Sequence, residues 1–178
     1  DVTGSVEGVA WDGVDEFDLG VAQAALQVAQ RAQPAQDEPP LRVVTVSASG
    51  GLVRTRGRHL VMPSHTWFSA PVPHLLVVLG GCVDAQIADP GVLSWLAEMH
   101  GKTQLTAAMT EGVRLLEAAG VLEGEDSPRR AKGLRALSWS VPSIRTTMQK
   151  DVVELGRVLT TSSRHATIDL CIKLVQRL

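Results

Sequence analysis

The residues with most chemical promise lie between Gly101 and Gly124, where GKTQLTAAMTEGVRLLEAAGVLEG reads as strand, sharp turn and helix. Several α/β enzymes present a reactive side chain on such an elbow, between a buried strand and a helix N-terminus. Here the elbow residue is Thr110, followed by Glu111 and Gly112. A threonine hydroxyl is a far weaker acid than a thiol and needs a neighbouring base before it can attack anything. Glu111 is a candidate base, provided that burial raises its pKa. The plainer readings are structural. Thr110 can cap the helix that begins at Glu111 by accepting a backbone N–H, and Glu111 lies in a first turn, where the helix dipole favours a carboxylate. A β-branched residue is poorly tolerated at the positive φ that such elbows usually adopt, so this one is expected to be relaxed or strained.

A second group surrounds the Gly80-Gly81 turn, which follows the apolar run Leu75 to Leu79. These glycines first of all permit positive φ. Cys82 comes next and either faces the same crevice or is an inert small residue. Asp18 is read as the N-cap of the first helix. Cys171 falls on an apolar helical stripe and is assigned to the core. Of the histidines, His165 is the one placed nearest the strand ends. His59, His65, His74 and His100 are read as surface or loop residues, too scattered for a metal site. Arg54, Arg56 and Arg58 form a basic cluster that is read as solvated.

The elements that must position these groups alternate. Ser5 to Trp11 is a short strand closed by Asp12-Gly13, and Asp18 to Gln33 a helix with Val21, Ala25, Val28 and Ala32 on one face. Pro34 to Pro40 is a proline-rich loop, Leu41 to Ala48 a strand, and Leu52 to Met62 a small hairpin around Arg56-Gly57. Leu75 to Leu79 suits a central parallel strand buried on both faces. Asp89-Pro90 is a cap followed by an N1 proline for a helix burying Val92, Trp95, Leu96 and Met99. Thr103 to Met109 is a strand and Glu111 to Ala119 a helix. Leu134 to Trp139 and Val152 to Thr160 are later strands, and His165 to Leu178 is a final helix. This alternation predicts a mostly parallel sheet with helices on both faces, whose ligand crevice lies at the carboxyl ends of the strands.

Composition bounds the function. A chain of 178 residues with 44% apolar and 20% charged residues can bury a core and is not disordered. A net charge of -2 gives no reason to expect nucleic-acid binding. The two cysteines form no CxxC or zinc-like cluster, and the setting expected is a reduced, cytoplasmic one. No apolar run approaches a membrane span. The chain starts at Asp1 rather than Met and ends inside an apolar helical pattern, so either end is open to trimming.

The chain as a whole resembles the ThiJ/PfpI superfamily, related to class I glutamine amidotransferases. The resemblance points most to the branch that holds isonitrile hydratases and the N-terminal sensor domains of AraC-type regulators. WDGVDEFDLGVAQAAL is similar to that branch's D-G-x-x-x-L-D-x-x-G-P start, with Val21-Ala22 in place of Gly-Pro. LRVVTVSASGGLVRTRGRHLVMPSHTW is similar to its strand and hairpin, LLVVLGG to VVPGG and AAGVLEG to AAGLLDG. VPSI, ELGRVLTTS and ATIDL are similar to YP-x-V, DDG-x-V-x-T-S and AGIDL. The family's V-C-T-G falls on Met109-Thr110-Glu111-Gly112, so its nucleophilic cysteine becomes Thr110. Its A-T-T-H-W, which often supplies a histidine, falls on Ser127 to Ala131, which carry only Arg129 and Arg130.

The resemblance implies one flavodoxin-like domain over residues 1–178. It implies an oxyanion hole of backbone N–H groups from the Gly80-Gly81 turn and from the residue after the elbow, and an acidic pocket residue at Asp18. The expectation that follows is a catalytically degenerate, small-molecule-binding or sensor-like protein, with Gly80, Gly81, Cys82, Thr110, Glu111 and His165 around a small polar ligand. No metal or cofactor is expected. The alternative is a hydratase or hydrolase run by Asp18, Glu111 or Cys82. A homodimer is expected, because relatives commonly pair through the first helix and the neighbouring hairpin.

Overall fold

The computed structural model describes residues 5–32, 42–123 and 152–177. Seven strands form one sheet in the order β5-β2-β1-β6-β7-β9-β8: β1 Ser5–Val9, β2 Arg42–Ser47, β5 His65–Thr66, β6 Leu75–Val78, β7 Leu105–Met109, β8 Val152–Leu155 and β9 Val158–Thr161. All neighbours are parallel except β8 and β9. β3 Val53–Arg54 and β4 Leu60–Val61 make the separate hairpin. The helices are α1 Glu16–Ala32, α2 Asp84–Ile87, α3 Pro90–Lys102, α4 Gly112–Ala118 and α5 Arg164–Val175. The parallel sheet with flanking helices is the expected flavodoxin-like class.

β6 is buried along its whole length, as an apolar run between two parallel neighbours requires. Its partners place the two helical layers. Thr106 on β7 meets His100 of α3, Oγ1 to Nδ1 at 2.9 Å, so that face of the sheet carries α3. Val77 and Met109 point the other way, towards Ala22 and Leu26 of α1 and Cys171 and Leu174 of α5. Asp89 caps α3 through Gly91 N–H at 2.8 Å, with Pro90 following, as the sequence predicts.

Four local expectations are corrected. The residues from Val152 to Thr160 form two antiparallel strands, turned at Gly156 with φ 55°. The α1 face buries Leu19, Ala22, Leu26 and Ala29, whereas Val28 is 61% exposed. That buried stripe includes Asp18, and a carboxylate on it breaks the apolar pattern by which a stripe is recognised. His100 is a buried α3 residue rather than a surface one. The cap of α1 is Asp15, whose Oδ1 accepts from Phe17 N–H at 2.9 Å, and Asp18 lies inside the helix. The expected strand from Leu134 to Trp139 lies outside the described residues.

Candidate functional site

Adjacent parallel strands β6 and β7 end side by side, and their exits bring Gly80-Gly81 against Thr110-Glu111. The loop leaving β1 closes the third side. Asp15 N–H donates to Gly80 C=O at 2.9 Å, and Cys82 N–H donates to Gly13 C=O at 2.9 Å. These bonds fix the Gly-Gly turn, in which Gly81 has φ 131°. Four of the predicted site residues, Gly80, Gly81, Thr110 and Glu111, therefore meet, and Asp18 joins them from α1.

Thr110 holds φ 44°, in the left-handed region that β-branched residues avoid. The elbow is thus strained rather than relaxed, at roughly 1–3 kcal/mol. Its hydroxyl does not cap α4. The residue preceding that helix is Glu111, no side chain caps it, and Thr110 Oγ1 instead donates to Asp18 Oδ2 at 2.7 Å. Asp18 has no exposed surface and also accepts from Gly80 N–H at 3.1 Å and Thr167 Oγ1 at 3.3 Å. Burial pushes its pKa up and the nearby Asp15 adds to this, against the opposing pull of Thr110, Gly80 and Thr167.

Glu111 differs. Its Oε2 accepts from Gly81 N–H at 3.2 Å, and its Oε1 lies 3.8 Å from Nη1 of Arg56. Burial raises its pKa, but its own backbone N–H, Gly81 N–H and Arg56 together carry it below the ordinary value. A general base with a raised pKa is therefore not what Glu111 is. Thr110 has a single hydroxyl proton, and the 2.7 Å geometry gives it to Asp18. Arg56 likewise is not simply a solvated cation, since the hairpin that carries it is docked on the β1–α1 loop. Arg56 N–H donates to Val14 C=O at 2.9 Å, and Gly57 N–H to Glu16 Oε2 at 2.9 Å.

The remaining candidates stay at the margin. Cys82 is exposed and packs against Gly13. His165 is exposed at the start of α5, and its neighbours reach the site instead. Thr167 bonds Asp18, and Arg164 Nη2 pairs with Asp15 Oδ2 at 2.7 Å while its guanidinium lies over the Phe17 ring. Cys171 is buried in the core, its thiol pushed up to about 12 by burial and by the charge of Asp18. Asp15, Arg164 and Thr167 were not among the expected site residues. Only Asp15 carried a local signal, as an acidic residue directly ahead of a helix. Among the described residues no group of three or more His, Cys, Asp or Glu side chains could hold a metal ion. No helix among them is long and apolar enough to cross a membrane. Ser127 to Ala131 lie outside the described residues.

Fold and site together define an α/β protein with a strand-end crevice closed by a glycine-rich turn and a threonine elbow. The sequence profile of the DJ-1/PfpI family matches residues 8–177, and the chain belongs to that family. Among solved structures, a ThiJ/PfpI family protein from Pseudomonas syringae superposes with a TM-score of 0.74 at 17% identity, over 99% of this chain and 69% of that one. DJ-1beta from Drosophila melanogaster gives 0.72 at 17% identity, over 99% and 90%. A ThiJ/PfpI domain protein from Brachyspira murdochii gives 0.71 at 13%, over 99% and 96%. At these identities the likeness is one of fold. No functionally curated protein matches the chain.

Proposed function

We propose that this chain is a catalytically degenerate DJ-1/PfpI protein that binds a small molecule or serves a regulatory, sensor-like role. The observation that carries the reading is the elbow itself. A strained threonine occupies it, its only proton is committed to a buried carboxylate, and a second carboxylate covers Gly81 N–H. A thiol-type mechanism has no nucleophile there. Turnover of isonitriles, 2-oxoaldehydes and peptides should be undetectable. Robust turnover that disappears in Cys82→Ala would overturn this by moving the nucleophile to the Gly-Gly loop.

A second reading is favoured by the 2.7 Å Thr110–Asp18 bond, which puts a hydroxyl beside a carboxylate with a raised pKa. In that case Asp18 rather than Glu111 is the base of a hydrolase or hydratase. Turnover lost in Thr110→Ala but kept in Cys82→Ala would select it. For the ligand-binding reading, the inward carboxylate of Glu111 opposes anions. Glu111→Gln should tighten binding of acetate about tenfold and leave acetamide nearly unchanged. Failure of both probes to bind at millimolar concentration would leave a partner-binding role as the better account.

A further inference from the structure

Three polar side chains converge on Gly80. A Cβ placed there would run into Oγ1 of Thr110, Oδ2 of Asp18 and Oε2 of Glu111, so the space over this turn does not hold even a methyl group. A group approaching Gly80 from that side must displace one of the three. Asp18 is fully buried within α1, and Thr110 is 6% exposed on a strained elbow fixed between β7 and α4. Glu111 is the exception. Its side chain is 30% exposed, and it reaches the turn through rotatable bonds from the rim.

We propose that the Glu111 side chain is an intramolecular plug, seated on Gly81 N–H and held by Arg56, which closes the strand-end site until it swings outward. The proposal rests on reading that crevice as the binding site, and it names the contact that regulates entry. The seat is set by backbone, because the bonds from Asp15 and Cys82 N–H hold the Gly-Gly turn and aim Gly81 N–H at Oε2. The latch is weaker by construction. Arg56 and Glu111 are 3.8 Å apart with the guanidinium 53% exposed, the geometry of an ion pair that water and salt loosen. The backbone of Arg56 is nonetheless pinned to Val14, so its side chain stays within reach when the plug returns. A closed site with one movable carboxylate and a soft cationic latch opens without disturbing Asp18 or the sheet.

Two measurements test this. In an acid titration followed by NMR, the Gly81 amide proton should shift with the ionisation of Glu111, and this response should vanish in Glu111→Gln. A Gly81 amide in the unmodified chain that is indifferent to that ionisation overturns the proposal. The second takes Cys82→Ser with Thr110→Cys, so that the new thiol reports access to the elbow. Its limiting alkylation rate by iodoacetamide at high pH, where loss of the neighbouring charge no longer matters, should rise about tenfold on adding Glu111→Ala. Adding Arg56→Ala instead should raise it about threefold, in keeping with a weak exposed ion pair. Unchanged limiting rates in both overturn the plug. If the rates rise but neither acetate nor acetamide binds the opened chain, the plug stands and the ligand-binding reading fails.

Discussion

Thr110 Oγ1 and Asp18 Oδ2 are 2.7 Å apart although 92 residues separate them in the chain. This bond joins the β7 elbow to the inside of α1, and Thr167 ties α5 to the same carboxylate. Asp18 is therefore the point at which strand ends and both helices of one layer are locked together. Burying a carboxylate is unfavourable unless donors surround it, and three donors do so here.

The bond should be measurable as a coupling. Thr110→Val keeps shape and backbone strain but removes the donor, and Asp18→Ala removes the acceptor. Each should destabilise by about 1–3 kcal/mol, and a double-mutant cycle in urea should return a coupling of about 1–2 kcal/mol. A coupling near zero would mean that the two side chains are merely neighbours.

Gly80 is the tightest position of the site. Gly80→Ala should destabilise by about 1–3 kcal/mol, because the methyl must push against Thr110, Asp18 and Glu111 together. Adding Thr110→Ala frees the oxygen nearest the new carbon and should recover part of that loss. Chemical denaturation of the single and double variants decides it, and strict additivity counts against the crowding argument.

Most of the sheet was legible because its signals are local. Leu75 to Leu79 is an apolar run of strand length, and Asp89-Pro90 starts a helix by chemistry that needs no tertiary context. The site was legible as separate parts, Thr110, Glu111, the glycine turn and Asp18, but not as a set of bonds. A threonine before a helix has the same local appearance whether it caps that helix or reaches a carboxylate on another one. The sequence of α1 misled for a related reason: its buried stripe runs through Asp18, so the apolar pattern pointed to Val28. Thr167 and Arg164 gave no local sign, since their partners lie 149 residues away.

The expected homodimer has a surface to use. Val28 on α1 and Leu52, Leu60 and Met62 around the β3–β4 hairpin are exposed apolar side chains on the two elements expected to pair. Light scattering at tens of micromolar should give twice the chain mass, and Leu60→Lys with Met62→Lys should shift it towards monomer. Monomer mass alone in the unmodified chain removes the idea.

Glu7 takes no part in the site. It lies in the middle of β1 with no exposed surface, and neither carboxyl oxygen has a hydrogen-bond partner among the described residues. The register Glu7–Leu76–Thr106 puts it on the sheet face that carries α3. Burial raises its pKa from 4.5 to about 7. Below pH 4.5 the group is protonated in both folded and unfolded chains, and its stability contribution is fully present. Between 4.5 and about 7 only the folded state holds the proton, so stability falls as pH rises, and above that range the loss is complete. The displacement corresponds to roughly 3 kcal/mol. Glu7→Gln removes the ionisation while keeping the shape, so at pH 8 it should be more stable than the parent by up to about 3 kcal/mol. At pH 4 the two should nearly coincide. Urea unfolding at both pH values provides the check, and an equal difference at both would show that the carboxyl does not titrate as its burial requires.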